Sequence, residues 1–266
     1  MKLSIITINL NNAQDLVRTI DSVNSQTFRD FEFIIIDGGS TDGSVDIIKQ
    51  NQESINFWVS ECDSGIFNAM NKGIGKANGD YLIMLNAGDV LYSKDTLQTI
   101  FESNPTEDIL YGDAVLESKG KVFGEKIFSK PITFDFFRRT SISHQAAFIK
   151  RELHDRLGLY DESLRFSSDW KFFLLAFCKF DASTKYYNNF IAVCNCDGLT
   201  WNPKYFPAMR EEASKVLADN FLIFIKDYEA LDAFRDRSNF FSKLYNMSKS
   251  KSKSILKKIL RKSSAK

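Results

Sequence analysis

Residues 33–43 read Phe33-Ile34-Ile35-Ile36-Asp37-Gly38-Gly39-Ser40-Thr41-Asp42-Gly43, an apolar run that ends at an acid and passes into a polar turn. A short continuous apolar run bounded by such a turn is typical of a strand buried in a parallel sheet. The glycine after Asp37 lets a ligand approach the backbone closely. Ligands of open parallel sheets bind beyond the carboxyl ends of the strands, so this turn is a predicted part of a binding site.

The same pattern recurs through the first 110 residues. Apolar runs predict further strands at residues 3–8, 56–60, 81–85 and 108–111, and helical stripes of apolar residues lie between them. This alternation predicts an α/β fold with a parallel sheet covered by helices on both faces. The second half predicts a mixed arrangement, with a hairpin at 114–125, strands at 146–149 and 185–193, and helices at 133–139, 169–180 and 204–245.

Composition limits the class of protein. The chain has 266 residues, of which 44% are hydrophobic and 26% charged, so it is long enough for one large α/β domain or two small ones. This excludes a disordered, collagen-like or disulfide-stapled chain. The four cysteines show no framework spacing, no apolar run is long enough for a membrane span, and the N-terminus predicts a strand in place of a signal peptide. We therefore predict a cytoplasmic protein.

Charge is distributed unevenly along the chain. Nine of the 35 basic residues and none of the 34 acids lie in residues 243–266, so residues 1–242 carry an excess of eight acids. An acidic body predicts no nucleic-acid partner, because phosphate contacts dominate that affinity. In the basic tail, Ile255, Leu256, Ile259 and Leu260 form an apolar stripe among cations, which is typical of a helix on an anionic membrane surface. A disordered solubilising tail is the alternative.

Polar turns follow four of the predicted strands and bring Asp37, Asp63 and Asp89 to one edge of the sheet. Each acid alone is also a common helix cap. Together they predict a divalent cation, Mn²⁺ or Mg²⁺, which one or two carboxylates hold along with substrate phosphates. The sequence has no zinc ligand spacing, no phosphate-binding P-loop, no dinucleotide-binding glycine pattern and no nucleophile elbow.

At these residues the chain resembles the family 2 inverting glycosyltransferases, which have the GT-A fold. The resemblance covers residues 3–90 and is thinner beyond residue 110. It rests on Ser4-Ile5-Ile6-Thr7 in the first strand, on the strand and turn quoted above and on two further segments, Glu61-Cys62-Asp63-Ser64-Gly65-Ile66-Phe67-Asn68-Ala69-Met70-Asn71-Lys72-Gly73 and Asn86-Ala87-Gly88-Asp89. The first of these is similar to a bacterial polysaccharide-synthesis subgroup that includes colanic-acid glycosyltransferases. The second stands where the family has its D-x-D motif.

The resemblance implies transfer of a sugar from a nucleoside diphosphate, with UDP-sugars expected, to a hydroxyl of a surface polysaccharide or lipid-linked oligosaccharide. It implies a Rossmann-like, mostly parallel sheet flanked by helices, a mixed acceptor-side half and C-terminal helices. The predicted divisions are a nucleotide-sugar-binding half at 1–110, an acceptor-binding and catalytic half at 111–200, a helical extension at 201–247 and the basic tail at 248–266. The tail would place the enzyme on the inner face of the plasma membrane.

The resemblance also assigns residues. Those predicted to bind the nucleotide sugar are Thr7, Asn9, Asp37, Asp63, Asn71, Lys72, Asn86 and Gly88. Asp37, with Thr7 and Asn9, would hold the base. The first acids of the D-x-D motif are missing here, which leaves Asp89 as the predicted metal ligand.

In the second half, Asp169 opens a predicted helix and is the expected general base, with helix capping as the alternative. His144 and Trp170 are candidates for contact with the acceptor or the diphosphate. A sugar-phosphate nucleotidyltransferase is disfavoured, because the turn after the first strand lacks a glycine-rich basic loop. A non-catalytic nucleotide-sugar-binding or scaffold protein with a degenerate D-x-D site stays open.

Overall fold

A computed structural model describes residues 1–129 and 131–263, and for residues 237–263 it describes the helical backbone alone. The chain divides into two compact units, Met1–Glu212 and Ala213–Lys266. The first unit carries the sheet that positions the candidate site. The predicted divisions at residues 110, 200 and 247 stay predictions.

The first half of the sheet is built from alternating strands and helices: β1 (Leu3–Asn9), α1 (Ala13–Asn24), β2 (Phe31–Asp37), α2 (Ser44–Gln50), β3 (Phe57–Ser60), α3 (Ile66–Ile74) and β4 (Tyr81–Met84). β1 pairs in parallel with β2 and with β4, and β2 pairs in parallel with β3. The register sets Asn9 beside Asp37 and Asp37 beside Ser60. Three strands therefore end at one level and present their following turns along one edge.

The second half adds β5 (Val90–Leu91), α4 (Thr96–Phe101), β6 (Ile109–Ser118), β7 (Lys121–Lys126), α5 (Phe134–Phe137), β8 (Ala147–Lys150), α6 (Arg151–Leu157), α7 (Ser168–Cys178) and β9 (Thr184–Asn195). The strand order is β3-β2-β1-β4-β8-β6-β9-β5, with β7 paired to β6. β8 runs antiparallel to both β4 and β6 and joins the two halves. The predicted fold class, an α/β sheet with a mixed second half, is confirmed.

The core lies between the sheet and the helices that cross it. Ile5, Phe33 and Ile35 in the sheet are fully buried, as is Leu16 on α1. The apolar spacing of α1 leaves one face of that helix to the core, and deleting a buried leucine from such a face costs about 2–5 kcal/mol. On the other helix layer, a Cβ at Gly73 of α3 would overlap the side chain of Ile6, so this glycine lets α3 lie close to β1.

The structure differs from the sequence expectations in the second half. The strands predicted at 108–111 and 114–117 form one continuous strand, β6. Gly112 lies within this strand and lets β9 approach closely, since a Cβ there would lie 2.7 Å from the carbonyl oxygen of Asn189. The two-residue β5 and the short, charged α6 escaped prediction, since neither shows a clear apolar period. The last helix, α8 (Phe206–Ser263), extends past the predicted end and has non-helical backbone angles at Phe221.

The basic tail at 248–266 lies outside the described side chains, and residues 264–266 lie outside the described chain altogether. Its predicted docking to a membrane surface stays a prediction. Within the described residues, no helix combines the length and the hydropathy needed to cross a bilayer.

His154, on the helix that follows β8, is a buried histidine. His154 on α6 is 4% exposed, and its ring stacks on Phe172 of α7 at a centroid distance of 4.5 Å. Neither ring nitrogen has a hydrogen-bond partner among the described residues. Burial lowers the pKa of His154 from 6.5 to about 4, because the charged ring would lose its hydration.

We expect this histidine to make the fold acid-sensitive. The unfolded chain takes up the proton at higher pH than the folded one, so the free energy of unfolding falls as the pH drops from 6.5 to 4, by roughly 3 kcal/mol. His154→Phe keeps the ring stacking and removes the titration. Urea denaturation of both proteins at pH 7.5, 6 and 5 should show a smaller pH dependence in the variant, and equal pH dependence would contradict the assignment.

Candidate functional site

A cavity of about 760 Å³ opens at the carboxyl ends of β1 and β4, beside the start of α3. Its volume is in the range of small-molecule sites. The cavity belongs to the first unit and is lined by segments of both halves of the sheet, namely residues 8–10, 12, 63–69, 86–87, 162–165 and 198–199.

Asp37 organises the edge next to this cavity but is itself fully buried. Its carboxylate accepts hydrogen bonds from the Ser40 hydroxyl at 2.6 Å, the Ser60 hydroxyl at 2.6 Å, the Asn9 amide at 2.7 Å, and the Ser40 and Gly39 backbone N–H groups at 2.9 and 3.2 Å. Burial raises the pKa of Asp37, but these bonds lower it by more, so it stays ionised. With both oxygens occupied, contact with a base requires a donor to move, and that role stays a prediction.

Asn9 connects this network to the cavity. It is 5% exposed and lines the cavity wall. Its amide nitrogen is bound to Asp37, while its carbonyl oxygen has no partner among the described residues. Thr7, two residues earlier on β1, is fully buried outside the lining, and its hydroxyl likewise has no described partner. A buried amide oxygen without a donor at a cavity wall is a ready acceptor for a ligand N–H or O–H.

Asp63 lines the cavity, whereas Asn71 and Lys72 do not. Asn71 donates to the Tyr160 carbonyl at 2.9 Å and accepts from the Tyr160 N–H at 3.0 Å. Its amide also donates to Glu162, and so holds the 160–165 loop against α3. Lys72 forms an ion pair with Glu61 at 2.7 Å. The direct ligand contacts predicted for Asn71 and Lys72 stay predictions.

The segment at the D-x-D position has an amide on the cavity and a carboxylate behind it. Asn86 lines the cavity, and its side-chain oxygen has no described partner. Asp89 is 2% exposed, and its two oxygens accept from the backbone N–H groups of Asn195 at 2.8 Å and Asn86 at 3.0 Å. Burial raises the pKa of Asp89 to about 6, against the opposing effect of the His144 charge and of these bonds. Gly88 has a φ of +103°, and a Cβ there would overlap the Asn195 side chain.

These residues do not fit a divalent cation at the D-x-D position. Both oxygens of Asp89 are committed to backbone donors, and the place of a second acid beside it is filled by Asn195. Among the described residues, no group of three or more His, Cys, Asp or Glu side chains is arranged to hold a metal. An amide oxygen alone, that of Asn86, is a weak ligand set for Mg²⁺ or Mn²⁺. The geometry therefore disfavours Asp89 as the metal ligand.

A second polar chain links the start of α7 to the cavity wall. His144 Nδ1 lies 2.9 Å from Asp169 Oδ2, and His144 Nε2 lies 3.3 Å from Asn86 Nδ2. Because the carboxylate only accepts, Nδ1 carries the proton, and in the neutral ring Nε2 accepts from Asn86. Burial raises the pKa of Asp169, but the hydrogen bond and charge of His144, the hydrogen bond from the Trp170 backbone N–H to Oδ1 at 2.8 Å and the charge of Lys126 together lower it by more. Trp170 donates from its indole to the Phe137 carbonyl at 2.8 Å and anchors α7 to α5.

Comparison with known proteins identifies the family of the chain. The model of glycosyl transferase family 2 matches residues 4–156, which is more than half of the chain. The chain belongs to glycosyl transferase family 2. A relative of this family 2 glycosyltransferase, the PGL/p-HBAD biosynthesis glycosyltransferase of Mycobacterium tuberculosis, is 33% identical over 199 residues, 72% of this chain and 76% of that protein. The narrower resemblance to colanic-acid glycosyltransferases stays a prediction.

Solved structures share the fold. TarS residues 1–349 of S. aureus in complex with UDP-GlcNAc superimposes with a TM-score of 0.63 at 17% identity, covering 82% of this chain and 67% of that one. The mannosyltransferase PcManGT of Pyrobaculum calidifontis in complex with GDP-Man and Mn²⁺ gives a TM-score of 0.58 at 18% identity, covering 85% and 64%. The chain spans 37% of a longer TarS structure. The TM-scores establish the common GT-A architecture, and at identities this low the likeness shows the fold alone.

Sequence reasoning missed the wall of the cavity that the second half supplies. Glu162 and Arg165 line it, as do Gly198 and Leu199 after β9. Their signals are weak, because no apolar strand points to them. The 160–165 loop is held at the cavity by contacts between residues far apart in the chain, among them hydrogen bonds to Asn68 and Asn71 on α3. The one sequence feature that could have indicated Arg165 is its position four residues before Asp169, the predicted base.

The Asp37 network gives a stability prediction. Asp37→Asn turns one acceptor oxygen into an NH₂ group that faces donors in a buried site, so we expect the free energy of unfolding to fall by about 1–3 kcal/mol. Urea denaturation measures the loss. Asp30→Asn, at an exposed position, is the control and should change little; an Asp37→Asn protein as stable as this control would refute the proposed role of the network.

Proposed function

We propose that this family 2 glycosyltransferase transfers a sugar from a nucleoside diphosphate sugar, of the UDP-sugar class, to an acceptor hydroxyl with inversion at the anomeric carbon. The observation that carries the proposal is the cavity at the strand ends, whose wall holds unpartnered amide oxygens beside the Asp169–His144 pair. Ligands of α/β sheets bind at this edge. The UDP-GlcNAc complex of TarS supports a nucleotide sugar as the donor class.

The amides of Asn9 and Asn86 are suited to the nucleoside. Each has a buried side-chain oxygen without a described partner, so each accepts a hydrogen bond from a base N–H or a ribose hydroxyl without breaking an existing bond. Asp37 keeps Asn9 in place from behind. Asp63 lies at the same wall, with its carboxylate against Gly38. In this proposal Thr7 and Asp37 support the base-binding wall, and Asp63, Asn86 and Gly88 border the sugar nucleotide.

Asp169 is proposed as the general base. The acceptor oxygen forms its bond to the anomeric carbon as the bond from that carbon to the diphosphate oxygen breaks, and the hydroxyl proton passes to the Asp169 carboxylate. The lowered pKa of Asp169 keeps the carboxylate ionised at neutral pH. Its side chain is 20% exposed, so the oxygens that accept from His144 and from the Trp170 N–H each keep a lone pair for the acceptor proton. His144 orients the carboxylate through its Nδ1–H and connects it to Asn86 at the donor side.

The acceptor is proposed to be lipid-linked or an oligosaccharide. The mycobacterial relative is named for PGL/p-HBAD biosynthesis, which supports a glycoconjugate pathway without naming the acceptor. The basic tail supports attachment to the inner face of an anionic plasma membrane. Mn²⁺ or Mg²⁺ remains the cofactor predicted from the family, and its site at Asp89 is the part of the sequence prediction that the donor set does not favour.

A donor screen tests the reaction. The full-length protein is incubated with UDP-, GDP- and dTDP-sugars, with and without Mn²⁺, and release of the nucleoside diphosphate is measured by coupled assay while binding is measured by calorimetry. We expect turnover, as transfer or slow hydrolysis, with one donor class. Binding without turnover in any condition favours the non-catalytic nucleotide-sugar-binding alternative, and absence of binding contradicts the proposal.

The base assignment has its own test. Asp169→Asn removes the proton acceptor and keeps the size, so kcat should fall 10²-fold or more with little change in donor affinity. Asp155→Asn, on the exposed side of α6, is the matched control and should retain wild-type kcat. An Asp169→Asn enzyme with more than about a tenth of wild-type kcat would remove Asp169 from the role.

A further inference from the structure

The cavity lining includes a positively charged side chain, Arg165, that lies outside the D-x-D position. Of the described lining residues, only Arg165 carries a positive charge, while Asp63 and Glu162 carry negative ones. The carboxylate of Glu162 is already used, since it accepts from the Asn68 and Asn71 amides at 2.9 and 2.8 Å. An anionic ligand in this cavity therefore meets one strong counter-charge, and it comes from the loop before α7.

Arg165 is held in place but keeps its charge available. Its backbone N–H donates to Glu212 Oε1 at 2.8 Å, and the next N–H, of Phe166, donates to Oε2 of the same carboxylate at 3.0 Å. Its guanidinium lies over the rings of Phe166 and Tyr205 at 5.2 and 5.3 Å. Stacking leaves the edge of the guanidinium, with its N–H donors, free to bind. Among the described residues the guanidinium forms no salt bridge.

Three other basic residues of the first unit are already paired, and Lys126, whose charge acts on Asp169, does not line the cavity. Lys72 is bound to Glu61, and Arg138 and Arg139 both bind Asp135. None of the three lines the cavity. Arg165 is thus distinguished by its position in the cavity lining.

The donor's diphosphate needs positive charge that the D-x-D position does not supply in this chain. Asp89 is committed to two backbone donors, and Asn195 occupies the space beside Gly88. As the sugar–diphosphate bond breaks, the departing oxygens gain negative charge, and a fixed cation stabilises that change. A guanidinium suits phosphate because it offers parallel N–H donors to two oxygens.

We propose that Arg165 binds the diphosphate of the donor and stabilises it as the leaving group, in the role that a metal at an intact D-x-D motif would fill. This inference rests on the proposed function. It makes nucleoside diphosphate binding dependent on Arg165 and largely independent of a divalent cation.

Calorimetry on the protein tests this with matched probe pairs: UDP and uridine, GDP and guanosine, and dTDP and thymidine, each in EDTA and in excess MnCl₂. For the pair that binds, the diphosphate should bind at least tenfold more tightly than the nucleoside in EDTA. Adding Mn²⁺ should change this by less than about threefold. Arg165→Ala should weaken diphosphate binding about tenfold or more and leave the nucleoside affinity unchanged.

Two further variants make the result specific. Arg165→Lys keeps the charge but not the paired donors, and should restore part of the diphosphate affinity. Arg156→Ala removes an exposed arginine that pairs with Asp108, and should bind every probe like the wild type. Thermal unfolding of each variant confirms that it is folded before its affinities are compared.

The outcomes separate the two proposals. Diphosphate binding that EDTA abolishes, or an Arg165→Ala protein that binds the diphosphate as tightly as the wild type, overturns the role of Arg165 and leaves the glycosyltransferase proposal standing. An Arg165→Ala protein that is folded but loses nucleoside and diphosphate equally also overturns it, since the loss is then not specific to phosphate. Wild-type protein that binds none of the probes in either condition overturns the proposed function itself.

Discussion

The site depends on one buried carboxylate. Asp37 ends β2 without any exposed surface and takes hydrogen bonds from the neighbouring strands on both sides, from Asn9 of β1 and Ser60 of β3, as well as from its own turn. An isolated buried charge would cost many kcal/mol, and only a set of donors directed at both oxygens makes it tolerable. The three strand ends are thereby held at one level, and the cavity wall at Asn9 is fixed.

A similar constraint operates where the two halves of the sheet meet. Asp89 satisfies the backbone N–H groups of Asn86 and of Asn195, which belong to distant parts of the chain. The His144 ring then connects Asn86 to Asp169 on α7. Asn86 and His144 are 58 positions apart in the chain, and His144 and Asp169 are 25 apart, yet each pair is in hydrogen-bond contact. This coupling supports the proposal that donor binding and proton acceptance share one site.

The acids at the strand ends are not equivalent, although they look alike in sequence. Asp37 and Asp89 are structural anions saturated by donors of the chain, and Asp63 lines the cavity. A cluster of acids at one sheet edge predicts a bound cation. Two of the three carboxylates, those of Asp37 and Asp89, are instead buried and satisfied by hydrogen-bond donors of the chain itself. In the proposed function, the positive charge for the diphosphate comes from Arg165, which lies outside the strand ends.

The sequence by itself determined the first half of the fold, because continuous apolar strands and amphipathic helices alternate there with clear periods, and the edge that carries Asn9, Asp63 and Asn86 follows from strand direction. It also singled out Asp169 and His144, though not that they touch. Only the tertiary structure decided that β8 runs antiparallel between β4 and β6, that Gly112 continues a strand, and that Arg165 faces the cavity. These features depend on pairings between residues far apart in the chain, which local hydrophobic patterns do not encode.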